Sequence, residues 1–539
     1  MTIGLSTAGD RDGRWATRLL LLSVALLGIA HVAFLPPFED FDEIGHWSYI
    51  QELADTGRVP VPAVDSLAAD IQAYPGPVFN GDPRAYQEYF SGPVADLTAP
   101  VERSYRPGRG ASWEGQHAPL YYLLLAPFYL LAKDWGWLGH MLLLRSVSWA
   151  IAFAGFAIGC RVSQREFERL GGPPAASLLI PAWPLLFPQF FPEMARLGND
   201  SLCLLVMSVV WCFLLRGLRS PDTRSATGLG AALGVGLLTK AFFWPIGIGC
   251  AALLAFVALR QHDMRYAKLA AVGGTVAILI GGGWYIRNLV VAGSFFNAYE
   301  VVEASQLGSL WHRLGMRSGS AELAFFLRGF VVMAGSFAWA GTRTLAMLPR
   351  IFTAPVVLLA ALPILSWLLR LKRLPSTGVA PLFLAAPLLA VLVYYTIMES
   401  APGTAGLATP GWYLHILSAP LALALALGWR ANWLFRGLLV YALAFHVVCW
   451  GTQLSVFSGC AFKAGAHMSL RLDPGSCLIV PSHLAALGEP LLGGTALLAA
   501  VLASAGALLV ARRIQALTPR PSGAAGGGEG EFPLTVPHG

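Results

Sequence analysis

The chain has 539 residues, of which 56% are apolar and only 12% charged, and its formal net charge is +7. With a mean hydropathy of +0.60, this composition excludes an ordinary soluble protein and marks a polytopic membrane protein. The basic excess reads first as topology, because Lys and Arg collect in cytoplasmic loops; nucleic-acid binding is the weaker reading, since no basic patch interleaves with aromatics.

The first apolar segment, 17–35, follows Arg11, Arg14 and Arg18. No small-residue cleavage site comes after it, so it reads as an uncleaved transmembrane helix. Directly beyond it stands Phe38-Glu39-Asp40-Phe41-Asp42-Glu43-Ile44-Gly45-His46-Trp47, with four carboxylates and a histidine at a membrane surface. Charge at that depth is costly and points to function. The run from His46 predicts an interfacial helix ending near Gly57, with Asp42 and His46 on one face. A carboxylate there can activate a hydroxyl or amine, as a base or within a metal site. The rival reading is helix capping by Asp40 or Asp42.

The first outer loop, 36–117, is rich in Pro, Gly and aromatics. Pro119–Ala132 is apolar, but it is short and contains Pro127. It predicts a juxtamembrane or re-entrant helix at the outer interface, with Tyr121, Tyr122 and Tyr129 at headgroup level. His117 stands where the loop returns to the membrane; it reads either as a site residue or as a satisfied interfacial histidine. Further spans are expected at 141–160, 174–192, 199–216, 226–239, 242–259, 269–287, 350–369, 379–397, 411–429, 435–455 and 491–511, giving about twelve in all. Residues 323–341 form a second candidate for a juxtamembrane element.

With the N-terminus inside, every inner loop is basic, from Arg161, Arg165 and Arg169 to Arg512 and Arg513, as the positive-inside rule requires. Arg196, Lys240 and Arg287 break this pattern at outer ends of spans. Snorkelling explains one such residue; three together suggest an anionic ligand such as a lipid phosphate. In the second outer hairpin, Asn199 and Asp200 either cap the next helix or set Asp200, with Glu193, against the first acidic cluster. Cys160, Cys203, Cys212, Cys250 and Cys449 read as small buried residues. Cys460 and Cys477 share a polar loop and could pair if it lies outside.

The fold class expected is therefore all-α integral membrane, with a large first outer loop carrying interfacial helices. The expected organisation is a cytoplasmic N-terminus (1–16), a catalytic membrane region (17–455, with the outer loop and juxtamembrane helices over 36–140), an outer loop with the last span (456–513), and a disordered cytoplasmic tail (514–539).

Asp-Glu after the first span, His-Ala-Pro-Leu-Tyr-Tyr at the return of the first loop, Arg-Leu-Gly-Asn-Asp in the second loop, Leu-Leu-Thr-Lys, and Trp-Tyr-Ile-Arg-Asn together resemble the GT-C membrane glycosyltransferases, which include protein O-mannosyltransferases and aminoarabinose transferases. The resemblance runs through most of the membrane region in order. It implies transfer of a sugar from a polyprenyl-phosphate donor to an envelope glycan, lipid or protein acceptor, on the outer face of the cytoplasmic membrane. Asp42 would act on the acceptor with Glu43 in support, and Glu39 and Asp40 are its rivals. His46 and Asp200 would assist, Arg196, Lys240 and Arg287 would hold the leaving phosphate, and His117 and Tyr413 are further candidates. A divalent cation between Asp42 and Asp200 is compatible with this reading without being required, so the cofactor is left unknown. One departure stands out: relatives carry Gly-Arg-Tyr-Leu before a late span, where this chain has Gly411-Trp412-Tyr413-Leu414. The rival class is a polytopic lipid or glycolipid transporter or flippase without transferase activity.

Overall fold

The computed structural model describes residues 6–62, 64–77, 84–296, 320–341, 350–399, 410–429, 432–459, 462–464, 470–472 and 479–517. The chain is an all-α polytopic membrane protein. Among the described residues, eight helices are long and apolar enough to cross a bilayer, from Arg11–Phe34 to Pro490–Arg513. Shorter apolar stretches over Leu327–Ala338, Thr353–Leu368 and Tyr441–Phe457 accompany them. Cys460, Cys477 and the tail beyond Leu517 lie outside the described residues.

Loop residues of the described helices come together in two groups. At one end the basic residues pair: Arg219 with Glu166, Arg216 with Asp222, and Arg513 with Asp12. Gln164 reaches Thr17, and the Tyr266 hydroxyl donates to the Leu218 carbonyl, at that same end. At the other end lie the first acidic loop, Arg196, Lys240 and Asp200.

Close packing depends on small residues where backbones meet. A Cβ on Gly155 would stand 2.5 Å from Leu205 Cα, so this glycine lets the Trp137–Arg169 and Asp200–Arg219 helices touch.

Two predicted spans are not continuous α-helices. Residues 174–192 form only short turns of helix: Pro174–Ser177, Trp183–Leu186 and the start of Phe190–Ala195. Pro173, Pro174, Pro181, Pro184, Pro188 and Pro192 fall within or beside it, and each removes a backbone donor and disfavours helix before it. Such irregular backbone survives at membrane depth only inside protein, and residues 176–200 are buried without interruption. The polar groups of the segment find distant partners. Gln189 accepts from the Ala340 and Gly341 amides at 2.7 and 2.9 Å, and its own amide donates to the Ala338 carbonyl. His446 Nε2 meets the Leu185 carbonyl at 3.1 Å, and Trp183 Nε1 donates to His415 Nδ1 at 3.2 Å. The second exception, 411–429, opens as the 3-10 turn Gly411–Leu417 and only then becomes the α-helix Ser418–Gly428.

The outer loop folds back on the membrane helices. Its helix Glu43–Thr56 ends on Gly57, whose left-handed backbone (φ 70°) lets the amide reach the Leu53 carbonyl. The juxtamembrane helix forms over Leu120–Leu131. Its Tyr121, Tyr122 and Tyr129 are buried, while Leu123, Leu124 and Leu131 are exposed. The element expected at 323–341 falls on the helix Ser320–Ala338. Of the five cysteines read as buried, Cys212 is exposed and the other four are buried.

Candidate active site

The acidic loop is held in place by two residues. Phe38 is fully buried with a left-handed backbone (φ 64°), and its ring meets Trp47, Tyr74 and Trp137 edge-on at 5.3, 5.2 and 5.5 Å. Arg145 clamps the rest. Its Nη1 and Nη2 donate to the Leu35 and Pro36 carbonyls at 2.5 and 2.8 Å. Its Nε and Nη2 form a two-pronged bond to Glu43 at 2.7 and 2.5 Å. Glu43 Oε1 also accepts from the Leu197 amide at 2.9 Å. Both Glu43 oxygens are thus engaged in a dry ion pair, which binds the first loop to the second.

The four carboxylates of the loop fall into different surroundings. Glu39 is buried and accepts from the Tyr86 hydroxyl at 2.6 Å. Asp40 accepts from the adjacent Phe41 amide at 2.8 Å and stands 3.7 Å from His31; burial pushes its carboxyl up to about 8, against the pull of Arg196. Asp42 alone is half open, with its side chain 43% exposed. It stands at the N-cap position of the Glu43–Thr56 helix but makes no side-chain cap bond, so the capping alternative is not realised. Its left-handed backbone (φ 62°, ψ 0°), tolerated by Asp better than by most residues, takes it off the helical lattice.

Arg196 links Asp42 to the second loop. It is buried and donates through Nη1 to the Phe41 carbonyl, with Asp42 Oδ2 at 3.9 Å. Its Nη2 reaches Glu193 Oε1 at 3.0 Å and Asp200 Oδ2 at 3.4 Å. Burial pushes Glu193 up to about 8, with Arg196 opposing and Asp200 adding to the rise. Lys240 Nζ donates to both oxygens of Asp200, at 3.0 and 2.8 Å, and lies 4.7 Å above the rings of Phe242 and Tyr413. Asn199 precedes the helix without capping it through its side chain.

Two of the three expected anion-binding cations are therefore matched internally: Arg196 by Glu193 and Asp200, and Lys240 by Asp200. Arg287 differs. It rests on the Trp284 ring at 4.7 Å and donates to Asn288 Oδ1 at 3.3 Å, and among the described residues no carboxylate lies within ion-pair distance. The Tyr49 ring stacks on Tyr122 at 3.6 Å.

Asp42 and Asp200 do not fit a shared metal as they stand, because Arg196 lies between them and Lys240 takes both Asp200 oxygens. Among the described residues no group of three or more His, Cys, Asp and Glu side chains could hold a metal ion.

His46 and His117 meet over a residue the sequence reading did not single out. Glu114 lies in the 3-10 turn Trp113–Gln116, where side chains three apart eclipse. Its Oε2 stands 3.2 Å from His117 Nε2, 3.3 Å from His46 Nδ1 and 3.3 Å from the Tyr122 hydroxyl. Gly45 makes room for it, since a Cβ there would come within 2.5 Å of Glu114 Cγ. Burial holds both imidazoles neutral. His46 lies well below its usual range, and His117 at about 3, with Lys240 and Arg196 lowering both. Tyr413 meets Phe242 edge-on at 5.0 Å, and Trp412 packs on Phe41 at 4.7 Å.

No family model matches the chain, and no curated protein matches it. Among solved structures it is similar to ArnT from Cupriavidus metallidurans bound to undecaprenyl phosphate. That likeness has 16% identity and a TM-score of 0.48, over 93% of this chain and 73% of that one. The apo state of ArnT gives 16% identity and a TM-score of 0.47, over 93% and 76%. The Archaeoglobus fulgidus oligosaccharyltransferase in complex with Zn and sulfate gives 14% and 0.41, over 80% of this chain and 51% of that one.

Proposed function

We propose that this chain is an integral-membrane glycosyltransferase, moving a sugar from a polyprenyl-phosphate donor to a cell-envelope acceptor. The observation that carries the reading is the division of labour at the outer end of the bundle. One half-open carboxylate, Asp42, is joined through Arg196 to the buried Asp200–Lys240 pair, while Arg287 has no carboxylate partner among the described residues and rests on the Trp284 ring. The acceptor hydroxyl attacks the anomeric carbon with inversion and passes its proton to Asp42. The bond from that carbon to the phosphate oxygen breaks, and the leaving phosphate keeps the electron pair. Arg287 meets the growing negative charge first, where a preorganised cation in a water-poor site is most effective. Lys240 and Arg196 hold Asp200 and the loops in register, and their positive charge adds to the field around the phosphate. Glu43 positions Asp42 without touching substrate.

The basic loops support a membrane orientation with this site outside and both termini in the cytoplasm, in the cytoplasmic membrane of a cell that carries lipid-linked sugars. The region 17–455 then carries the chemistry, with the outer loop over 36–140 forming the site's roof.

The test is transfer of radiolabelled sugar by the purified full chain, from a panel of undecaprenyl-phosphate-linked hexoses and pentoses to envelope extracts. Wild type transfers from at least one donor, and Asp42→Asn transfers at under 1% of that rate while folding normally. Normal turnover by Asp42→Asn removes Asp42 from the mechanism. Binding of lipid-linked sugar without transfer, combined with its movement across vesicles, makes the chain a flippase.

A further inference from the structure

A second feature lies away from the candidate site. Leu178, Ala182 and Leu185 of the broken segment line a narrow groove of about 390 Å³, together with Ser504, Ala507 and Leu508 of the helix Pro490–Leu517. Pro181 and Pro184 keep that segment from presenting the regular row of side chains of a helix, and Ala182 and Ala507 are too small to close the gap. Ser504 is the one polar side chain in the lining, and it already shares a hydrogen bond of 2.6 Å with Ser23. The groove is therefore apolar. It extends along the helix to Ala511, a length of about 10 Å, which fits within one leaflet's share of the hydrocarbon core, about 15 Å.

The Ala511 end of the groove lies among cations. Arg513 pairs with Asp12 there, and Gln164 ties the Thr17 hydroxyl to the Ser177 carbonyl at 3.0 and 3.4 Å. Arg14, Arg18 and Arg165 are exposed at the same end. Arg512 stands one helical turn beyond Leu508, on the same face of the helix. It is exposed, and among the described residues no carboxylate lies within ion-pair distance of it.

We infer that this groove holds one acyl chain of an anionic glycerophospholipid, with the lipid phosphate at Arg512. The inference goes beyond sugar transfer and is independent of it. Two effects divide the work. Lipid chains are as apolar as the groove, so filling it gains packing contacts but no headgroup preference. The positive-inside rule accounts for a cation at this end, but not for an apolar slot leading away from it. A basic residue at a bilayer surface favours an anionic headgroup, so the slot and Arg512 together select one class of lipid. The bound chain also gives the proline-broken segment the neighbours that its own backbone geometry denies it, and that segment leads directly to Glu193 and Arg196.

The test is native mass spectrometry of the full chain in detergent, titrated with phosphatidylglycerol or with phosphatidylcholine of the same acyl chains. Wild type binds its first phosphatidylglycerol about 5-fold more tightly than its first phosphatidylcholine, the worth of one basic residue against an anionic headgroup. Arg512→Gln brings the two affinities within twofold of each other. Arg260→Gln, at the end of the helix Phe243–Gln261 and outside the groove, keeps the preference. Ala507→Leu fills the groove and weakens both lipids at least threefold without changing their ratio, and Ala182→Leu does the same from the broken segment. Size exclusion reports the folding of each variant.

Equal binding of the two lipids by wild type overturns the inference. So does a preference that survives Arg512→Gln, or one that Arg260→Gln removes equally, since that marks a general basic surface. Unchanged affinities in the folded groove-filling variants place the chain elsewhere and overturn it too. Displacement of bound phosphatidylglycerol by undecaprenyl phosphate at equal concentration makes the occupant a polyprenyl tail and overturns the choice of lipid.

Discussion

Asp42 and Glu43 are neighbours in sequence, yet their surroundings demand opposite responses to the same change. Glu43→Gln removes the charge from a pair in which Arg145 is 1% and Glu43 0% exposed. Arg145 keeps the Leu35 and Pro36 carbonyls but loses its counter-charge. Leaving one partner of a buried pair unmatched costs about 3–5 kcal/mol, a large part of a typical stability margin. Asp42→Asn alters a contact of 3.9 Å at a half-exposed carboxylate, and such pairs are worth about 1 kcal/mol or less. Thermal melts of the solubilised protein, followed by size exclusion, should therefore show Glu43→Gln melting well below wild type and Asp42→Asn beside it. Sugar transfer below the melting point should be lost in Asp42→Asn and largely kept in Glu43→Gln. The double change Glu43→Gln with Arg145→Met should recover stability relative to Glu43→Gln alone, because it removes the stranded charge. Wild-type stability in Glu43→Gln, or a collapsed Asp42→Asn, would refute this division.

Three further outcomes follow from the geometry. Arg287→Gln should weaken binding of undecaprenyl phosphate by about 10-fold or more, the worth of a charged hydrogen bond, with little change in melting, since its protein partners are one amide oxygen and one ring; unchanged affinity in equilibrium binding would count against it. Asp40 and Glu193 both titrate near 8 in the fold, so between about pH 4.5 and 8 the folded chain keeps protons that the unfolded chain releases. Stability should fall as pH rises through that window, by up to about 1.4 kcal/mol per pH unit for each group, and Glu193→Gln should flatten the slope measured in melts from pH 5 to 9. Gly155→Ala should cost about 1–3 kcal/mol by forcing the Trp137–Arg169 helix off the Leu205 backbone; a wild-type melting point would show that the contact relaxes freely.

The parts of this molecule that were legible in the sequence are those governed by one-dimensional rules. Apolar run length located the membrane helices. The short juxtamembrane helix was legible from its length and Pro127. The prolines of 174–192 were equally visible, yet run length outweighed them. The second gap was pairing. Arg145 lies within the predicted span 141–160, and a lone cation in an apolar helix is itself a sign of a buried partner. Glu114 carried a weaker sign, its three-residue spacing from His117, which matters only once the segment is known to be a 3-10 turn. Whether Arg196 and Lys240 are free for a ligand or matched by Asp200 depends on tertiary contacts, and no spacing rule encodes those.

The broken crossing at 174–192 has a consequence for how the chain is made. A continuous helix satisfies its own backbone as it leaves the ribosome and can enter the bilayer at once. This segment cannot, because its bonds are completed by Ala338, Ala340, His415 and His446, all synthesised at least 140 residues later. Between those moments its prolines leave carbonyls with no donor. The segment must wait at the membrane surface, or in the insertion machinery, until the C-terminal half arrives. The outer end of the bundle, including the Arg196 link that starts where this segment stops, is thus among the last parts of the protein to be assembled, and a truncated chain ending before residue 415 would carry the site's sequence without its site.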